Sequence, residues 1–117
     1  MPIEVNALAD TGAVYLGIPE HIAIQLELEE ADRREVRLAD GSRRTVSYVG
    51  PIRIVVANRM GFAGAMALGN EILLGAIPME DLDLVAIPGT REVAPNPEYP
   101  NIAGSIAMDL RPGFRRT

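Results

Sequence analysis

The residues best suited to chemistry lie in Asn6-Ala7-Leu8-Ala9-Asp10-Thr11-Gly12-Ala13-Val14-Tyr15-Leu16, where one carboxylate sits on a turn between two apolar segments. A buried catalytic aspartate is presented in this way, as an acid or base at the end of one strand. Gly12 allows a tight loop to follow, the Thr11 hydroxyl can hydrogen-bond neighbouring backbone, and Ala13 leaves room beside the carboxylate. Asp, Thr and Gly are also ordinary turn residues, so the tripeptide takes its meaning from the elements around it. Other chemistries lack the residues they need. There is no cysteine, which excludes disulfides, thiolate nucleophiles and thiolate metal sites. One histidine, His21, is too few for a His-rich metal centre and a poor basis for a serine triad.

The composition bounds the rest. A chain of 117 residues, 48% hydrophobic and 23% charged, reads as one globular domain. Its net charge of -5 and pI near 4.8 argue against a nucleic-acid partner, which calls for a basic stripe. Arg33-Arg34, Arg43-Arg44 and Arg115-Arg116 read as solvated faces or termini. No apolar run approaches the roughly 20 residues of a membrane span, and the first residues lack the basic start and apolar core of a signal peptide. The expected compartment is the cytoplasm, with no membrane partner.

The elements that must position Asp10 follow from patterning. Residues 3–8 form a strand entering the turn and residues 14–18 a strand leaving it. Pro19 opens a short helix over 20–26, with Glu20 near its positive end and His21 on its exposed side. Residues 35–39 and 44–49 alternate in polarity around Asp40-Gly41-Ser42, a strong hairpin signal and a two-stranded mobile arm. Strands are expected over 52–57 and 62–68, and a buried apolar strand over 72–75. Pro78 and the acidic residues after it mark a helix over 78–84. A last hairpin joins 85–87 to 91–94. The expectation is a mainly β domain with one or two short helices, its edges removed by closing or sandwiching the sheet.

The order of these blocks carries a resemblance. Asp10-Thr11-Gly12-Ala13 with Ile18-Pro19, Leu38-Ala39-Asp40-Gly41, Tyr48-Val49-Gly50-Pro51, Leu73-Leu74-Gly75-Ala76-Ile77-Pro78-Met79-Glu80 and Asn96-Pro97 resembles the retropepsin-like aspartic proteases, in particular their small bacterial and archaeal members. The resemblance implies a retropepsin-like closed β-barrel or sandwich, a domain over residues 1–95 and a C-terminal tail over 96–117. It implies that the Leu74-Gly75 strand passes through the loop carrying Asp10, and that the Asp40-Gly41 hairpin is a flap over a substrate cleft. The site residues it implies are Asp10, Thr11 and Gly12 for catalysis, and Ala13, Asp40, Gly41 and Ser42 for binding a peptide or protein substrate. It implies no metal and no organic cofactor.

Chemistry then sets a stoichiometry. Aspartic proteolysis uses two facing carboxylates that share one proton, because like charges about 3 Å apart cannot both ionise. This chain has one Asp-Thr-Gly, since Asp40, Asp81, Asp83 and Asp109 all lack the pattern. A homodimer with one Asp10 from each subunit is therefore expected, and an isologous two-fold interface supplies it. By the same resemblance, Thr11 ties the two loops across the axis. Two departures from the family stand out. Relatives carry a further strand or hairpin ahead of the one entering the turn, whereas nine residues precede Asp10 here. Three readings follow: the start is internal to a longer protein, the tail at 102–108 substitutes as an interface strand, or the domain is a non-catalytic peptide-binding or dimerisation module. Ala9 also stands where relatives carry Leu or Val.

Overall fold

The computed structural model describes residues 2–105. Ten elements follow one another: β1 Ala7–Ala9, β2 Leu16–Ile18, α1 Glu20–Gln25, β3 Glu30–Arg37, β4 Arg43–Val56, β5 Arg59–Ala67, β6 Ile72–Leu74, α2 Ala76–Asp81, β7 Leu84–Ala86 and β8 Val93–Pro95. The first six strands build one sheet in the order β1-β6-β2-β5-β4-β3, and β7 and β8 pair separately. The protein is thus mainly β with two short helices. The sheets are open: β1 and β3 are the two ends of the larger one and do not pair. The expected closed barrel is not formed among the described residues, because a six-stranded sheet with three strands of three residues is too short on one side to curl back on itself.

Strand β6 lies between β1 and β2. It runs parallel to β1, with Ala7, Leu8 and Ala9 opposite Ile72, Leu73 and Leu74, and antiparallel to β2, with Gly17 opposite Leu73. The loop joining β1 to β2 therefore wraps around the end of β6. Three backbone bonds hold it there: Gly75 N–H to the Tyr15 carbonyl at 3.2 Å, Ala76 N–H to Ala13 at 2.9 Å and Ile77 N–H to Val14 at 2.9 Å. At Gly75 the approach is too close for a side chain, since a Cβ there falls 2.5 Å from the Tyr15 carbonyl oxygen.

One face of the sheet buries the core. Leu16 and Ile18 of β2, Val49 of β4, Ala65 of β5 and Leu74 of β6 pack with Ala23 of α1 and with Leu82 and Leu84 beyond α2. The alternation in β4 and β5 sends Ile52, Ile54, Val56 and Ala63 to this face and Arg53, Val55, Met60 and Phe62 to the other. This is the period-two pattern of a sheet with one covered face.

Several boundaries differ from the patterning, each for a local reason. β1 starts at Ala7 because its partner β6 is three residues long. β3 extends back to Glu30, lengthening the arm, because it pairs with β4 as far as Val49. β4 continues through Gly50-Pro51, where a register shift between Val49 and Ile52 absorbs the turn residues. Ala57, at φ 52°, and Asn58 form the tight connection to β5, which lets β5 begin at Arg59. α2 begins at Ala76, before Pro78; a proline fits the first turn, where its missing N–H has no helical partner. The β1 edge is met at Ala9 by Arg91: Ala9 N–H donates to the Arg91 carbonyl at 2.8 Å and Arg91 Nε to the Ala9 carbonyl at 3.2 Å.

Residues 96–104 are fastened to the domain. The buried Arg59 guanidinium donates to the Tyr99 carbonyl, reaches the Asn96 carbonyl at 3.4 Å and lies 3.8 Å from Asp83 Oδ2. Among the described residues its Nε and Nη1 have no partner. Asp83 in turn accepts from Gly104 N–H at 2.8 Å and from Asn96 Nδ2 at 3.0 Å. Ile102 lies in this segment without strand structure, and residues 106–108 of the expected interface strand lie outside the described residues.

Two stability tests follow. Gly75→Ala forces backbone of the 14–15 region to move and lowers stability by about 2 kcal/mol or more, read from the denaturant midpoint; Gly12→Ala, whose Cβ meets nothing closer than 3.5 Å, stays within about 1 kcal/mol. The second concerns acid. Hydrogen bonds from Gly104 and Asn96, then the Arg59 charge, hold the Asp83 carboxyl below its ordinary value. Its contribution is present above about pH 4 and is lost as pH falls through the lowered value. Asp83→Asn should flatten the acid limb of the stability curve below about pH 4, and an unchanged limb would remove Asp83 from its cause.

Candidate functional site

Asp10 lies just past the last residue of β1, where its N–H donates to the Leu74 carbonyl of β6 at 2.9 Å. The carboxylate is thereby anchored through its own backbone to the strand that lies between β1 and β2. Oδ1 accepts the Gly12 N–H at 3.1 Å, and Ala13 N–H closes onto the Asp10 carbonyl at 3.1 Å. The result is a turn of the type that a short acidic side chain stabilises. Asp10 and Ala13 are half-buried, whereas Thr11 and Gly12 face outward. Gly12 does not adopt a left-handed backbone, so the freedom expected of it is not what shapes this loop. The turn is held by the Asp10 carboxylate and by β6.

Asp40, Gly41 and Ser42 form the end of the β3–β4 arm and are exposed. Leu38 N–H donates to the Ser42 carbonyl at 2.8 Å and Gly41 N–H to the Leu38 carbonyl at 2.9 Å, with Gly41 at φ 86°. Asp40 Oδ1 accepts both the Ser42 hydroxyl and, at 2.9 Å, its N–H. The Ser42 hydroxyl bond, then the Ser42 amide, holds the Asp40 carboxyl below its ordinary value. This carboxylate is already engaged in its own turn. Within the single chain, no hydrogen bond joins the arm end to the Asp10 loop among the described residues.

The arm is tied to the loop nearer its base instead. Tyr15, the last residue before β2, meets Tyr48 of β4 edge-on, with centroids 6.5 Å apart and planes at 75°. Arg34 of β3 places its guanidinium 4.1 Å from the centre of the Tyr48 ring and donates from Nε to Asp32 Oδ2 at 2.9 Å. Hydrogen bonding to Arg34, then to the Arg33 amide, lowers the Asp32 carboxyl and raises the Arg34 guanidinium in return. Sequence alone assigns Tyr15, Tyr48 and Arg34 no site role: Arg34 reads as part of a solvated arginine pair, Tyr48 only as part of a block of the resemblance, and no local signal joins either to Tyr15.

Two clefts lie elsewhere. One of about 260 Å³ sits between α1 and the arm, with Ala23, Leu28 and Val49 on its floor and Glu20, Arg33 and Arg44 around it. The other, about 310 Å³, runs beside β1 and α1 past Leu8, Ile22 and His21. Neither takes in Asp10–Ala13 or Asp40–Ser42. His21 is exposed on α1 as its position implied. Among the described residues no cluster of three or more His, Asp or Glu side chains could hold a metal ion, and no helix is long and apolar enough to cross a membrane. Comparison with protein families, with characterised proteins and with solved structures found no match to this chain.

The arm end supplies its own test. Asp40→Ala removes both bonds to Ser42 and should speed amide exchange at Gly41 and Ser42 while leaving the global unfolding midpoint within about 0.5 kcal/mol. A large drop in the midpoint would mean that the arm end is part of the cooperative core.

Proposed function

We propose that this chain is one half of a homodimeric aspartic endopeptidase of retropepsin type, with Asp10 as its catalytic carboxylate. The observation that carries the reading is the passage of β6 between β1 and β2 beneath the Asp10 loop, with Asp10 N–H bonded to Leu74. Such an arrangement holds a short, outward-facing carboxylate loop on rigid strands rather than at a free turn. The exposure of Thr11 and Gly12 supports it as well, since this side of the loop is open to a second copy. The β3–β4 arm is of a kind that can fold over an extended peptide.

The chemistry follows from bringing two Asp10 side chains together across a two-fold axis. At about 3 Å apart the pair retains one proton. The ionised member accepts a proton from a water, whose oxygen attacks the scissile carbonyl carbon, while the protonated member donates to the carbonyl oxygen. Collapse of the tetrahedral species transfers a proton to the leaving nitrogen and restores the shared state. One chain alone supplies half of this machinery. Thr11 and Gly12 position the carboxylate, Ala13 borders the substrate backbone, and Asp40, Gly41 and Ser42 meet the substrate from the arm.

Concentration dependence is the decisive measurement. Well below the dimer dissociation constant, peptide hydrolysis should rise as the square of chain concentration, and Asp10→Asn should abolish it while leaving the unfolding midpoint and self-association at least as strong as in the wild type. Hydrolysis linear in chain over that range, or undiminished by Asp10→Asn, would exclude a shared Asp10 pair. A folded, self-associating chain that binds peptides and cuts none would instead be the non-catalytic module.

A further inference from the structure

The Asp10 loop and the arm meet through aromatic rings. Tyr15 belongs to the loop by its backbone, since its carbonyl accepts the Gly75 N–H. Its ring belongs to the other side, packed edge-on against Tyr48. Tyr48 is itself confined. Its phenol lies over Gly64 of β5, where a Cβ would overlap the ring, and the Arg34 guanidinium sits 4.1 Å from the ring centre. Arg34 rides on β3, the outer strand of the arm, and is braced by Asp32.

We propose that Tyr15 is a positioning residue for Asp10, and that Tyr48 transmits the placement of the arm to it through the Arg34 guanidinium. The physical argument rests on geometry. A ring bounded by backbone below, a cation on one side and an aromatic edge on the other has few places to go. Edge-on aromatic pairs and guanidinium–ring contacts are attractive in specific orientations, so a shift of one member changes the others. When the arm moves, Arg34 moves with β3 and the Tyr48 ring re-seats against Tyr15. Tyr15 adjoins Ala13 and Val14, whose carbonyls hold Ala76 and Ile77. The loop is thus set by the arm without a hydrogen bond between Asp10 and the arm end among the described residues. This inference rests on the endopeptidase reading for its catalytic consequence, but the coupling itself is a property of the folded chain.

The test uses Arg34→Gln, a change on the outer strand of the arm, together with Tyr15→Phe and Tyr15→Ala in the full chain. In Arg34→Gln, amide exchange at Ala76 and Ile77 should quicken by about threefold. Tyr15→Phe keeps the ring and should exchange as the wild type does. In peptide hydrolysis, Arg34→Gln and Tyr15→Ala should each lower kcat by about threefold or more with KM little changed, and the double variant should lose no more than the larger single loss. Unchanged exchange at Ala76 and Ile77 in Arg34→Gln would overturn the coupling, whether or not the chain hydrolyses peptide. Losses that simply multiply in the double variant would overturn it as well. If no peptide is cut by the wild type, the endopeptidase reading fails, and exchange alone decides the coupling.

Discussion

The structure depends on one constraint: β6 must lie between β1 and β2 while the chain that joins those two strands wraps around its end. β1, β2 and β6 are three residues each, and strands of that length have little stability as isolated pairs. Here each supports the others. Leu74 is buried on the core face while its carbonyl holds Asp10, and the N–H groups of Gly75, Ala76 and Ile77 satisfy the loop carbonyls that would otherwise be left without partners. The absence of a side chain at Gly75 permits the crossing, since anything larger would meet the Val14-Tyr15 backbone.

The rest of the larger sheet is built outward from this crossing. β4 and β5 continue the sheet on the Val49 and Ala65 core, but the first part of β4 and β3 extend outward as a two-stranded arm. β3 is an edge strand of eight residues with Glu30, Asp32, Arg33, Arg34, Glu35 and Arg37 along it. Such a density of charge discourages pairing with a second edge. Exposed ion pairs such as Arg43 with Glu35 at 3.7 Å contribute little to stability. β3 is held by its ladder to β4, by the Ser47 hydroxyl on Glu30 and by the packing of Arg34 on Tyr48, and this last contact also connects it to the ring that meets Tyr15.

The opposite end of the chain is secured by charge rather than by apolar packing alone. Arg59 is almost wholly buried, a costly place for a guanidinium, and the carbonyls of Tyr99 and Asn96 with the Asp83 carboxylate offset that cost. Asp83 has a left-handed backbone, which turns the chain out of α2 and aims its carboxylate at residues 96 and 104. Residues 96–104 are therefore part of the domain's surface layer.

The sequence by itself determined the elements, because local signals carry them: Pro19 and Glu20 for α1, Asp40-Gly41-Ser42 for the arm end, alternating apolar residues for β4 and β5, and the apolar run at Ile72-Leu73-Leu74 for β6. It also singled out Asp10, through the turn chemistry of Asp-Thr-Gly between two apolar segments. Only the tertiary structure decided how these parts meet. Nothing local in Arg59 announces a buried cation, nothing in Arg91 announces a cover for the β1 edge, and nothing in Tyr15, Tyr48 and Arg34 announces that they touch. Contacts between residues distant in sequence depend on strand order and register. Those were set by which backbone groups found partners around β6, and that choice left the sheet open where patterning alone suggested a closed one.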